Sequence, residues 1–165
     1  MALLSVIVPC YNEEENVSCF YEELMKNNSF FEEKKLDLEV IYIDDGSKDK
    51  TPDICDDLSK QYSHIHVIHI ENSGVSAARN KGIEHIIANY YADNSYIAFC
   101  DADDLLAKDC LTSDLENYLD QDIICFQSCS MSHDTTMCSP PHSSNNIPVI
   151  ANGGRKAAFR RNAAE

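Results

Sequence analysis

The chain has 165 residues, 44% hydrophobic and 25% charged, the size and balance of one globular domain, which excludes wholesale disorder. Its formal net charge of −15 at pH 7 argues against a nucleic-acid backbone or an anionic bilayer as direct partner, because both would repel it. The acid is unevenly spread, with a net −17 over residues 1–126 and +2 over residues 127–165.

In chain order, Leu3–Val8 is a nearly continuous apolar run ending at Pro9, as expected of a strand buried on both faces. Glu13–Met25 follows as a helix, with acids in its first turn and an apolar stripe at Val17, Phe20, Tyr21 and Leu24. Leu38–Ile43 reads as the second strand. Thr51-Pro52-Asp53 then starts a helix to about Tyr62, with Thr51 as hydroxyl N-cap and Ile54, Cys55 and Leu58 on the inner face.

Ile65–Ile70 is the third strand, and Val75–Tyr90 a helix with Ala78, Gly82, Ile86 and Ala88 available for close packing. Tyr96–Cys100 is the fourth strand, followed by a helix through Leu111–Leu119 and a strand at Asp122–Gln127. This alternation implies an α/β fold with a mostly parallel central sheet and right-handed βαβ crossovers. After Gln127 the pattern fails. Ser128–Asn146 reads as a long loop, and Arg155–Asn162 could begin a basic helix.

No apolar run is long enough to cross a bilayer, and the first residues lack the basic start and cleavage site of a signal peptide. A cytoplasmic location is the expectation. The eight cysteines read as free thiols in a reducing compartment, and Cys125, Cys129 and Cys138 make only a weak zinc pattern.

Ligands of open parallel sheets bind outside the carboxyl ends of the strands, so the residues following each strand carry the chemistry. These are Pro9-Cys10-Tyr11-Asn12-Glu13-Glu14, then Asp44-Asp45-Gly46-Ser47, then Glu71-Asn72-Ser73-Gly74, then Asp101-Ala102-Asp103-Asp104. The last group sets three carboxylates within four residues, a mutual repulsion that a hard divalent cation removes. The alternative is a solvated acidic turn in which Asp104 caps the next helix. Asp44-Asp45 likewise fits either an Asx-type turn or a ligand-binding pair. Tyr11 fits either loop packing or stacking on a base.

Together the four blocks resemble the family 2 glycosyltransferases of the GT-A fold, a Rossmann-like architecture. The resemblance rests on Val6–Glu13, Ile43–Asp49, Asn72–Gly82 and Phe99–Asp104, and covers about residues 3–127. It implies that Pro9, Tyr11, Asn12, Glu13, Asp44, Asp45, Arg79, Asp101 and Ala102 bind the donor nucleotide. Tyr11 would stack on the base, Asp44 would accept its ring N–H and Asp45 would support the loop. Arg79 would sit near the phosphates, and Asp101 would meet the ribose or metal-bound water. Asp103 would ligate Mn2+ or Mg2+ bridging the diphosphate.

The implied reaction moves a sugar, with inversion, from a nucleotide-sugar donor (UDP-linked in most of the family) to a glycan or lipid-linked acceptor, as in polysaccharide biosynthesis. An acceptor of that kind would place the protein at the inner face of the membrane. The family's carboxylate base lies well downstream of the metal motif. Beyond Gln127 only Asp134 and Glu165 are acidic, and neither has that context. Residues 1–127 are therefore read as the donor-binding half and 128–165 as a loop and the start of an incomplete acceptor side, with the base expected beyond residue 165.

Two alternatives stay open. A haloacid-dehalogenase-like phosphatase would use Asp101 as nucleophile and Asp103 as general acid, but leaves Asp44-Asp45 and Asn72–Gly82 unexplained. A non-catalytic nucleotide-binding module would need no base. His64 and His66, on one face of an edge strand with His69 on the other, read as partly exposed strand residues rather than a metal pair, and His85, His133 and His142 read as incidental. The basic residues Arg155, Lys156, Arg160 and Arg161 fit either a solvated face or a peripheral contact with an anion or membrane.

Overall fold

Strand β1 (Ala2–Cys10) lies inside the sheet, hydrogen-bonded in parallel to β2 (Leu36–Asp44) on one side and β4 (Ser95–Phe99) on the other. The computed structural model describes residues 2–89, 95–106, 123–129, 149–151 and 156–160. Between β1 and β2 run two helices, α1 (Val17–Met25) and α2 (Asn28–Lys34). Helix α3 (Thr51–Gln61) leads to β3 (Ile65–His69), and α4 (Val75–Asn89) leads to β4. The short β5 (Leu105–Leu106), β6 (Ile123–Cys129), β7 (Val149–Ala151) and β8 (Lys156–Arg160) follow.

The strand order is β3-β2-β1-β4-β8-β6-β7-β5. The first four strands are mutually parallel, and β8 joins β4 antiparallel. The expected α/β architecture is present. Alternating residues of β1 and β2 build two cores: Val6, Val8, Val40 and Tyr42 pack with Val17, Phe20 and Leu24 of α1. Ile7, Ile41 and Ile43 pack on the other face with Ala78 and Ile86 of α4. Burial on both faces is why these strands read as unbroken apolar runs. Gly82 of α4 lies against Ile7 so closely that an added Cβ would stand 2.6 Å from its Cγ2.

Several expected elements change. The first helix begins at Val17 because Glu13 is held in the preceding turn, its amide donating to Thr51 Oγ1 at 2.7 Å. That bond also takes up the hydroxyl expected to cap α3. Thr51 lies inside α3, whose first turn is met by Asp49 Oδ1 accepting the Thr51 amide at 3.0 Å. Helix α2 was not legible as a separate element, and Ala88 is exposed rather than packed.

Residues 156–160, read as helical, form strand β8, which fills the gap between β4 and β6. Sheet pairing there overrides the helical preference of an Ala- and Arg-rich segment. The central sheet thus draws a strand from the 128–165 segment. Ser128 and Cys129 belong to β6 rather than to a loop. The helix expected at Leu111–Leu119 and the rest of the 130–146 loop lie outside the described residues.

The histidines also differ. His64, just before β3, bonds Tyr21 Oη of α1 at 3.0 Å, whereas the His66 ring lies tilted at 43° against that of His85 of α4, centroids 5.6 Å apart. They therefore face opposite layers. His66 also meets the buried Glu39 at 3.5 Å, whose other oxygen accepts the Ser5 hydroxyl at 2.6 Å. Cys10, Cys55 and Cys100 are buried thiols and Cys19 is an exposed one.

Candidate functional site

The sheet order reverses between β1 and β4: the chain moves outward from β1 through β2 and β3, then returns to the other side of β1. A crevice forms at the carboxyl ends of strands beside such a reversal. Here it is a cleft of ≈ 230 Å³ lined by Pro9, Cys10, Tyr11, Glu13, Asp45, Val75, Ala78, Asp101 and Asp103. Six of the ten residues expected at the site line it. Tyr11 and Val75 stand out at its rim, 47% and 48% exposed, so an apolar surface is offered to a flat ligand.

The two neighbouring aspartates part company. Asp44 ends β2 and turns to the α3 side: its Oδ1 accepts the Ser47 amide at 3.0 Å and its Oδ2 meets His69 Nδ1 at 2.9 Å. The turn reading accounts for Asp44, which is absent from the cleft lining. Asp45 points to the α4 side, accepting the Ser73 amide at 2.7 Å and the Gly74 amide at 2.8 Å. Gly46 between these groups and the next loop adopts φ +72°, and a Cβ there would lie 2.8 Å from the Asn72 amide. Glycine is required by both backbone and space.

Carboxylate oxygens of Asp101, Asp103 and Asp104 lie within 4.8 Å of one another. A magnesium or manganese ion with oxygen ligands at about 2.1 Å holds trans oxygens about 4.2 Å apart, so these carboxylates need draw in only slightly to fit a hard cation. Asp104 is followed by strand β5, which removes the expectation that it caps a helix. Arg79, on α4, donates from Nη2 to Asp101 Oδ1 at 2.8 Å. It is thus tied to the acidic cluster from beside the cleft, and Ala102 is buried beneath.

Asn12 does not line the cleft; it fastens the Tyr11 loop. Its amide donates to Ser47 Oγ at 3.0 Å and its Oδ1 accepts the Lys48 amide at 2.8 Å, with φ at +57°. Asparagine tolerates that left-handed conformation better than most residues. Cys10, in the cleft wall, is kept a neutral thiol: a hydrogen bond with Cys55, and then burial, push its pKa well above the usual thiol range.

Cys10, Val75 and Ala78 lie inside the strand-end blocks but were given no role there, and all three line the cleft. His69 was not expected beside the site. His69 pairs in register with Asp44, and that register appears only once β2 and β3 are aligned.

Residues 5–159 match the profile of glycosyl transferase family 2. The minor teichoic acid biosynthesis protein GgaA of Bacillus subtilis (strain 168) is 34% identical over 121 residues, which are 73% of this chain and 26% of GgaA. The uncharacterized glycosyltransferase EpsJ of the same organism is 38% identical over 106 residues, 64% of this chain and 27% of EpsJ. The chain thus spans about a quarter of the length of these relatives. Staphylococcus aureus TarS (residues 1–349), solved in complex with UDP, superposes with a TM-score of 0.62 at 25% identity, over 85% of this chain and 39% of that one. The fold, the strand-end motifs and the profile agree: the chain belongs to glycosyl transferase family 2.

Proposed function

We propose that this chain binds the donor of a sugar transfer, a nucleotide-sugar with UDP as the first candidate, in the cleft at the ends of β1, β2 and β4. The observation that carries this is the meeting, in one cleft, of an exposed aromatic ring, a buried carboxylate and an acidic cluster. Tyr11 stacks on the base with Val75 beside it. Asp45 takes the role of base acceptor from Asp44, because Asp45 is the one that lines the cleft.

Asp103, with Asp101 and Asp104, would hold Mn2+ or Mg2+, which when bound neutralises the charge of the departing diphosphate as a Lewis acid. Arg79 orients Asp101 and adds a fixed positive charge beside the phosphates. An anionic ligand in so acidic a rim needs both cations. The transfer is to a glycan or lipid-linked acceptor, presented at the inner membrane face, with inversion at the anomeric carbon. Among the described residues no helix is long and apolar enough to cross a membrane.

UDP bound to TarS, a protein of the same fold, supports the choice of nucleotide. Family membership favours this reading over a haloacid-dehalogenase-like phosphatase. Isothermal titration with UDP and GDP, with and without manganese, tests it. Manganese-dependent UDP binding that disappears in Asp103→Ala is the expected result. A folded chain that binds neither nucleotide with manganese present overturns it, and phosphate-ester hydrolysis lost in Asp101→Asn would restore the phosphatase. Tight binding without transfer to any acceptor would leave a nucleotide-binding module.

A further inference from the structure

His69 stands at the end of β3 between two carboxylates. Its Nδ1 lies 2.9 Å from Asp44 Oδ2 on β2, and its Nε2 lies 3.2 Å from Asp56 Oδ1 on α3. A neutral imidazole has one N–H and one lone pair, so it can satisfy only one of these oxygens and sets its lone pair against the other. The imidazolium donates to both. Hydrogen bonding to Asp44, opposed by partial burial and aided by Asp56, accordingly raises the pKa above the ordinary histidine value. Asp44 and Asp56 are the charged groups that face it from the two elements packed against β3.

The far oxygen of Asp44 accepts the Ser47 amide, and the Ser47 hydroxyl accepts the Asn12 amide at 3.0 Å. A continuous path therefore runs from the His69 ring to the residue beside Tyr11. We propose that His69 is a positioning residue for nucleotide binding: as an imidazolium bridging Asp44 and Asp56, it holds the Asp44–Ser47 turn and, through it, the Tyr11 loop. The ligand half of this inference rests on the nucleotide reading of the cleft. It assigns a role to a residue that touches neither the cleft nor the acidic cluster. Loss of the ring proton turns one charge-assisted bond into a repulsion, at the root of the turn rather than at the ligand.

The test uses the full chain over about pH 6 to 9, a range that brackets a raised histidine titration. Ring-proton NMR reads His69, the Ser47 and Asn12 amide shifts read the turn, and calorimetry with UDP and manganese reads the cleft. The amide shifts are expected to follow the His69 midpoint, and UDP affinity to weaken roughly tenfold as the ring loses its proton. His69→Gln removes the pH dependence of both. Asp56→Asn, an isosteric change at a half-exposed helical position, moves both midpoints to lower pH. Ser47 and Asn12 amides indifferent to the His69 midpoint overturn the positioning role, whatever UDP does. Absence of UDP binding at every pH overturns the nucleotide reading and with it the ligand half, while the amide shifts still decide the role in the turn. A wild-type pH profile of UDP affinity retained in His69→Gln overturns the coupling to the cleft.

Discussion

The Asp45 carboxylate closes the amino end of α4, with Gly74 donating its amide to Oδ2 at 2.8 Å. Ser73 donates to the other oxygen, so a fixed negative charge already sits on the positive end of that helix. The dipole of α4 is thereby engaged within the protein, so a diphosphate bound as proposed would find its positive partners at Arg79 and at a cation on the acidic cluster rather than at that helix end.

Asp45→Ala strands two amides and uncaps α4, which costs about 1–2 kcal/mol of stability. Urea unfolding reads that loss. Calorimetry on the same variant is expected to show UDP affinity down by more than the stability change explains, because the side chain also lines the cleft. Equal UDP affinity in a destabilised Asp45→Ala would remove the base-acceptor assignment.

Arg79 separates stability from binding. Its ion pair with Asp101 is about one-third exposed on both sides, so Arg79→Ala should change stability by no more than about 1 kcal/mol. Affinity for UDP with manganese should fall roughly tenfold, since Asp101 loses its orienting donor and the cleft a positive charge. Thermal melts and titrations on the same preparation compare the two.

Gly82→Ala tests the close approach of α4 to the sheet. The new Cβ would stand 2.6 Å from Ile7 Cγ2 and 2.9 Å from Cδ1, and Ile7 is fully buried. Overpacking of about 1–3 kcal/mol outweighs the roughly 1 kcal/mol gained in helix propensity. A variant at least as stable as the wild type in urea would show that Ile7 has room to move.

His64 gives a pH-dependent stability of defined sign. Burial, with help from the charge of His66, lowers its pKa in the folded chain below the ordinary histidine value. As pH falls below about 6.5 the unfolded chain takes up this proton first, so stability falls until the folded pKa is passed. Above that window the group contributes no slope. Unfolding free energies of wild type and His64→Gln across about pH 5 to 8 should diverge only on the acid side, with the variant showing the shallower fall.

The parallel half of the fold and the location of the site were legible because strands buried on both faces announce themselves as apolar runs, and because the residues after them cluster by topology. What the sequence could not assign was the division of labour between Asp44 and Asp45. Consecutive residues near a strand end face opposite layers, but which layer holds the cleft depends on where α4 packs. His69 was hidden for a related reason: its partners are 25 residues back on β2 and 13 back on α3. Strand β8 was misread because its composition favours a helix while its pairing partners, Ile97 and Ile123, lie far away in the chain.

Strand β8 also gives the chain a timetable. All four strands of the parallel half, from β3 to β4, lie within residues 2–99 and are joined by short crossovers. The outer edge of β4 then waits for Ala158 to pair with Ala98, and β6 waits for the same strand. A chain made only as far as residue 155 lacks β8 to pair these two backbone edges, and open edges of that kind invite pairing with a neighbouring copy.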